Sequence, residues 1–118
     1  MNIKIEFLPS ASMRYATWGD YFYDADGNLI IQVVNDNPEL PTEEHQMLIA
    51  VHELCEIIML RKRGVTPDQI DEFDFAFKGD GEPGDDPLSP YRNEHRRACL
   101  IEHLLASFME IENYGVVN

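Results

Sequence analysis

Met47-Leu48-Ile49-Ala50-Val51-His52-Glu53-Leu54-Cys55-Glu56-Ile57-Ile58-Met59-Leu60 is apolar throughout except at His52, Glu53 and Glu56. A run this long and this apolar predicts a buried helix. Its frame reads cleanly. Thr42 is a fitting N-cap, and Glu43 and Glu44 suit the positive end of the helix dipole. Arg61, Lys62 and Arg63 suit the negative end, and Gly64 supplies the terminator. The spacing therefore predicts a helix over 43–63. Ionisable groups inside such a helix must be paired, neutralised or bound to a metal. His52 and Glu56 are four residues apart and share one face, and Glu53 lies about 100° around the helix.

Outward from this helix, the N-terminal half reads as strands. Ile3, Ile5 and Phe7 alternate with Lys4 and Glu6, the period of a half-buried strand. Residues 13–23 are rich in aromatic and β-branched side chains, with Gly19-Asp20 as a bend. Leu29-Ile30-Ile31-Gln32-Val33-Val34 is the strongest strand, and the turn-forming Asp24-Ala25-Asp26-Gly27-Asn28 joins the two as a hairpin. Asn35 to Pro38 ends the sheet. Beyond the first helix, Thr66-Pro67 starts a second that ends near Phe77. Residues 79–87 form a Gly/Pro-rich loop. Ser89-Pro90 opens a third helix over roughly 90–113, closed by Gly115. The order predicts an α+β fold in one domain, 1–118: a three-stranded antiparallel sheet over 2–35, covered by the two long helices of a helical half over 42–115.

Composition narrows the function. The chain has 118 residues, 22 acidic against 9 basic, and a formal net charge of -13. That balance disfavours direct binding to nucleic-acid backbones or to an anionic membrane. Two cysteines are too few for a disulfide scaffold or a four-thiolate zinc site. The sequence shows no membrane-length apolar run, secretory signal or lipidation motif. The expectation is a cytoplasmic protein with reduced thiols.

His52-Glu53-x-x-Glu56 has the geometry of a zinc-binding helix. In H-E-x-x-H, ligands at i and i+4 hold the metal while the intervening Glu works on water. Here Glu56 stands where the second His would, and carboxylate is a legitimate zinc ligand. The competing reading pairs the three groups with Arg92, Arg96 or Arg97. A third metal ligand is available in His95 of the last helix, which shares a face with Cys99 and Glu102. Glu102 is a candidate fourth ligand or a partner that orients an imidazole, although an ion pair with Arg97 or Arg61 is the simpler expectation. His45 ranks below His95, and His103 is expected to face solvent. Cys55 and Cys99 lie beside proposed ligands; each could lend a thiolate or be a small buried residue. They could also meet each other across the helices. Asp85 and Asp86 belong to an acidic loop whose plain reading is a solvated surface. The sharper readings are a lid beside the metal, with Asp85 or Asp86 reaching the site or a cationic substrate, or an acidic face that mimics nucleic acid.

The combination Val51-His52-Glu53-Leu54-x-Glu56, Asp74-x-Ala76-Phe77, Glu82-Pro83-Gly84-Asp85-Asp86-Pro87 and Pro90-Tyr91-Arg92-x-Glu94-His95 resembles a family of small phage and prophage proteins with no assigned activity. The resemblance spans about residues 48–115 and implies a host-cell cytoplasmic location. More distantly, a sheet followed by an H-E-bearing helix resembles the minimal zincin fold of small metallopeptidases. That resemblance implies His52, Glu56 and His95 as ligands and Glu53 as the general base. The departure at Glu56 leaves manganese or iron open beside zinc, and a vestigial site would hold none.

Three functions follow. The first is a metal-dependent hydrolase acting on peptides, with strand 29–35 pairing to an extended substrate if it lies at the sheet edge. The second is an acidic binding protein or inhibitor directed at a host protein, with or without a structural metal. The third, and weakest, is a Mg²⁺-dependent nucleotide pyrophosphohydrolase built on Glu53 and Glu56. The oligomeric state is open.

Overall fold

Strand β3 (Leu29–Val34) is the most apolar strand and takes the centre of the sheet, between β1 (Ile3–Leu8) and β2 (Gly19–Tyr23). The structure, a computed structural model, describes residues 1–114. β2 and β3 form the expected antiparallel hairpin, with Tyr21 opposite Ile31 and Tyr23 opposite Leu29. β1, however, runs parallel to β3, with Ile3 opposite Leu29 and Leu8 opposite Val34. The sheet is therefore mixed rather than fully antiparallel. The cause lies in residues 9–18, which include a short 3₁₀ turn at Ser10–Ser12. They carry the chain past β3, so that β2 enters on its far side. The central position also overturns β3 as a pairing edge for a substrate, because both of its edges already carry ladder bonds.

Helix α1 (Glu43–Arg63) lies over β3 and β2. Thr42 Oγ1 accepts from the His45 amide, and Gly64 closes the helix at φ 80°. That left-handed conformation is one in which a side chain is disfavoured. Ile49, Ile57 and Leu60 pack with Leu29, Ile31, Val33, Leu40 and Tyr21 into one core. α1 is not buried all round, since Met47 and Ile58 are exposed. It also stops short of β1, which leaves Ile3, Ile5 and Phe7 between 39% and 50% exposed.

Helix α2 (Pro67–Ala76) starts at a capping box in which Thr66 and Gln69 exchange side-chain bonds with each other's amides. A second 3₁₀ turn, Pro83–Asp85, leads to α3 (Arg92–Phe108). α3 packs along α1 and this turn rather than on the sheet, so the expected cover by both long helices is made by α1. The small residues Ala98 and Ala106 line the buried stripe of α3 with His95 and Glu102, which lets the two helices approach closely. α3 is also shorter than 90–113. Glu110 turns left-handed at φ 59°, and the Ile111 amide bonds back to Ala106, the pattern that ends a helix. Gly115 lies outside the described residues. Among the described residues, no helix is long and apolar enough to cross a membrane.

Candidate metal centre

The face of α1 that meets α3 carries His52 and Glu56, and the first turn of α3 brings His95 against them. His52 Nε2 lies 3.2 Å from Glu56 Oε2, His95 Nδ1 lies 3.2 Å from the same oxygen, and the two ring nitrogens are 3.3 Å apart. All three residues are buried. Four-coordinate zinc with bonds of about 2.0–2.1 Å spaces its ligand atoms about 3.3 Å apart. The observed triangle has those dimensions. With protons on both rings, the carboxylate can accept twice, but the two N–H groups then crowd each other; one central dication relieves that conflict.

A surrounding layer fixes the triangle. His52 Nδ1 pairs with Glu102 Oε1 at 2.8 Å, which turns Nε2 toward Glu56 and His95. Tyr21 donates to the second oxygen of Glu56 at 2.7 Å, and Tyr114 donates to the second oxygen of Glu102. A histidine ligand backed by a carboxylate is the usual way of orienting an imidazole on a metal. The ion pair expected of Glu102 with Arg97 or Arg61 is not formed; the side chain turns inward along the Ala98–Ala106 stripe, and Arg61 bonds to Tyr23 instead. No arginine reaches His52, Glu53 or Glu56 among the described residues; Arg92 bonds to the Asp85 carbonyl.

Cys99, one turn after His95, places Sγ 3.8 Å from His95 Nε2, the ring nitrogen not directed at Glu56. His52, His95 and Cys99 form a group that could hold a metal ion. Cys55 is outside it. Asp85 Oδ1 comes within 3.6 Å of His95 Nε2 from the acidic loop, whereas Asp86 is used locally, accepting from the Leu88 amide. His45 caps the start of α1 through Thr42, and His103 is exposed and bonds to the Cys99 carbonyl.

Glu53 is half-buried beside the triangle, and its carboxylate has no hydrogen-bond partner among the described residues. Burial and the nearby Glu56 charge push it well above the usual carboxylate range. Glu56 goes the other way. Burial raises it, but hydrogen bonds from His52, His95 and Tyr21 outweigh that and hold it ionised. Burial alone would discharge His52 and His95. Contacts with Cys99, and with Glu102 and Glu56 for His52 or Glu56 for His95, more than reverse this, raising His52 and placing His95 at about 10. Against its own burial, Cys99 is drawn down to about 7 by the two imidazoles. The two neighbouring carboxylates are thus shifted in opposite directions.

Residues without an obvious signature complete the centre. Gly19 lets β2 press on Glu53, since a Cβ there would fall 2.6 Å from Glu53 Oε1. Gly84 does the same for the His95 ring. Tyr91 packs edge-on to His95 and donates to Asp74 at 2.6 Å, and Asp74 also accepts from Tyr15. Arg14 bridges Asp20 and Asp71, tying α2 to β2. Between these walls is a cavity of about 30 Å³ bordered by His52, Glu53, Glu56 and His95, which is room for about one water. The alternation of β2 puts Tyr21 and Tyr23 on its inner face and could have pointed to Tyr21. The two glycines read only as turn formers until the neighbouring chain is in place. No protein-family model, curated protein or solved structure matches this chain.

Proposed function

We propose that this chain is a metal-dependent hydrolase acting on peptides, with a zincin-like division of labour and a phage or prophage origin. His52, Glu56 and His95 would hold zinc, and Glu53 is the general base. The observation that carries the reading is the 3.2–3.3 Å triangle of two ring nitrogens and one carboxylate oxygen, with Glu53, one residue after His52, without a hydrogen-bond partner among the described residues. A bound zinc ion supplies a Lewis acid and makes water a usable nucleophile near neutral pH. The chain's own residues do the rest. Glu102 and Tyr21 hold the ligands in orientation, Gly19 holds Glu53 against the cavity, and Glu53 takes a proton from the attacking water and returns it to the leaving amine.

The experiment is zinc analysis of protein purified without a histidine tag, together with Glu53→Gln. The wild type is expected to hold one zinc per chain and to cleave peptide. The variant is expected to keep the zinc and lose about 10²–10⁴-fold in turnover. Equal turnover in the two proteins refutes the assignment. A second reading is favoured by one observation, the nearness of Cys99 to both imidazoles. With Cys99 as an additional ligand the site would be closed, as in structural zinc sites, and the chain would act as an acidic binding protein. A sulfur ligand in the X-ray absorption spectrum of the zinc-loaded protein favours that alternative.

A further inference from the structure

A groove of about 1080 Å³ opens over the candidate centre. It is lined by residues from 10–19 and 34–40, from α3 and from 112–114, and by His45, Ile49, His52 and Glu53 of α1. All four histidines of the chain line this groove, whereas none of its nine lysines and arginines does so among the described residues. The carboxylates of Glu39, Glu82, Asp85 and Glu112 stand around it, outside the ligand triangle. Trp18, 40% exposed, supplies apolar surface in the groove.

We infer that this groove binds an extended polypeptide segment rich in lysine and arginine, and that such a segment is the substrate class of the centre. The inference rests on the hydrolase reading for the word substrate, but not for the binding. The volume exceeds the range of about 300–1,000 Å³ usual for small-molecule pockets. Carboxylates lining a groove that also exposes Trp18 suit long cationic side chains, whose stems pack on apolar surface while their heads meet carboxylates. A lining without lysine or arginine among the described residues sets the sign of the ligand. The opening onto His52, Glu53 and His95 brings the bound backbone to the proposed chemistry.

The test separates the groove from the general negative charge. The probe is a short fluorescein-labelled Arg-Ala repeat peptide, with a Glu-Ala repeat as its opposite, titrated by anisotropy into zinc-loaded Glu53→Gln protein, so that cleavage cannot confuse binding. Two triple variants are built on that background with the same change in net charge. One neutralises the groove (Glu39→Gln, Glu82→Gln, Glu112→Gln); the other neutralises exposed sites outside it (Asp26→Asn, Glu72→Gln, Asp80→Asn). The expected result is binding of the Arg-Ala peptide alone, about tenfold weaker in the groove variant and changed less than about twofold in the control. Equal weakening in both variants overturns the inference, as does equal binding of the two peptides. Displacement by spermine as effective as by unlabelled peptide at matched charge overturns the polypeptide assignment. If wild-type zinc protein binds the Arg-Ala peptide with this pattern yet never cleaves it, the hydrolase reading fails and the groove assignment stands.

Discussion

Gly84→Ala tests the centre at a residue that is neither a ligand nor a base. A methyl group on Gly84 would lie 2.6 Å from His95 Cγ, 2.8 Å from Cδ2 and 2.9 Å from Nδ1. Ordinary contact begins at 3.4 Å. The ring must therefore retreat by about 0.8 Å, several times the tolerance of about 0.2 Å for a metal–ligand bond. It has little room, with the His52 ring 4.9 Å away and Tyr91 6.2 Å away, centroid to centroid. The expected result is at least a tenfold loss of zinc affinity, in the range of about 10–100-fold seen when a ligand's support is removed. Overpacking of about 1–3 kcal/mol should lower the metal-free thermal midpoint by roughly 5–15 °C. Affinity is read by competition with a chromophoric chelator, and the midpoint by circular dichroism in EDTA. Gly81→Ala is the control: it strains a left-handed glycine in the same loop but meets no neighbouring atom. Wild-type affinity in Gly84→Ala, or the same loss in both variants, refutes the argument that Gly84 seats the His95 ring.

Removing the support of His52 by Glu102→Gln should weaken zinc binding by about 10–100-fold. Tyr114→Phe should give a smaller loss in the same direction, and an unchanged affinity in Glu102→Gln would contradict the orienting role. Leu60 is fully buried in the core one turn beyond Glu56, so Leu60→Ala should cost about 2–5 kcal/mol by urea denaturation; a loss below about 1 kcal/mol contradicts the packing. Burial raises the Asp74 carboxyl from 3.8 to about 6 despite bonds from Tyr91 and Tyr15. The folded chain then holds a proton that the unfolded chain has lost between those values, so this group lowers stability as pH rises from about 4 to 6. Asp74→Asn should flatten that decline, and an unaltered pH profile in urea titrations counts against it.

The helices and half of the centre were legible because their determinants are local. Thr42 and Gly64 bound α1 as caps wherever the helix packs, and His52 and Glu56 share a face by helical spacing alone. The meeting of His95 with His52 and Glu56 was legible because His95 shares a face of the last helix with Cys99 and Glu102, and two long helices that pack together can bring that face to the first. The direction of β1 was not, since Ile3, Ile5 and Phe7 alternate identically in parallel and antiparallel pairing, and the choice is made by the path of residues 9–18. Glu102 misled because arginines near it in sequence outnumber its true partner, His52, which is 50 residues away. Only the inward stripe through Ala98 and Ala106 decides between them. Gly19 and Gly84 act by what they leave out, and the space they yield belongs to side chains far along the chain.

The contact between His52 and His95 joins positions separated by 43 residues. An ion bonded to both closes that stretch into a ring, as a disulfide would. The chain-entropy relation for a loop of this length gives a stabilisation of about 4 kcal/mol, before any strain in the bonds. Such a tie can be withdrawn by a chelator and restored by adding metal. The hold of α3 on the rest of the molecule would then follow the free metal concentration around it, and proteolysis of the 77–91 connection would report that concentration.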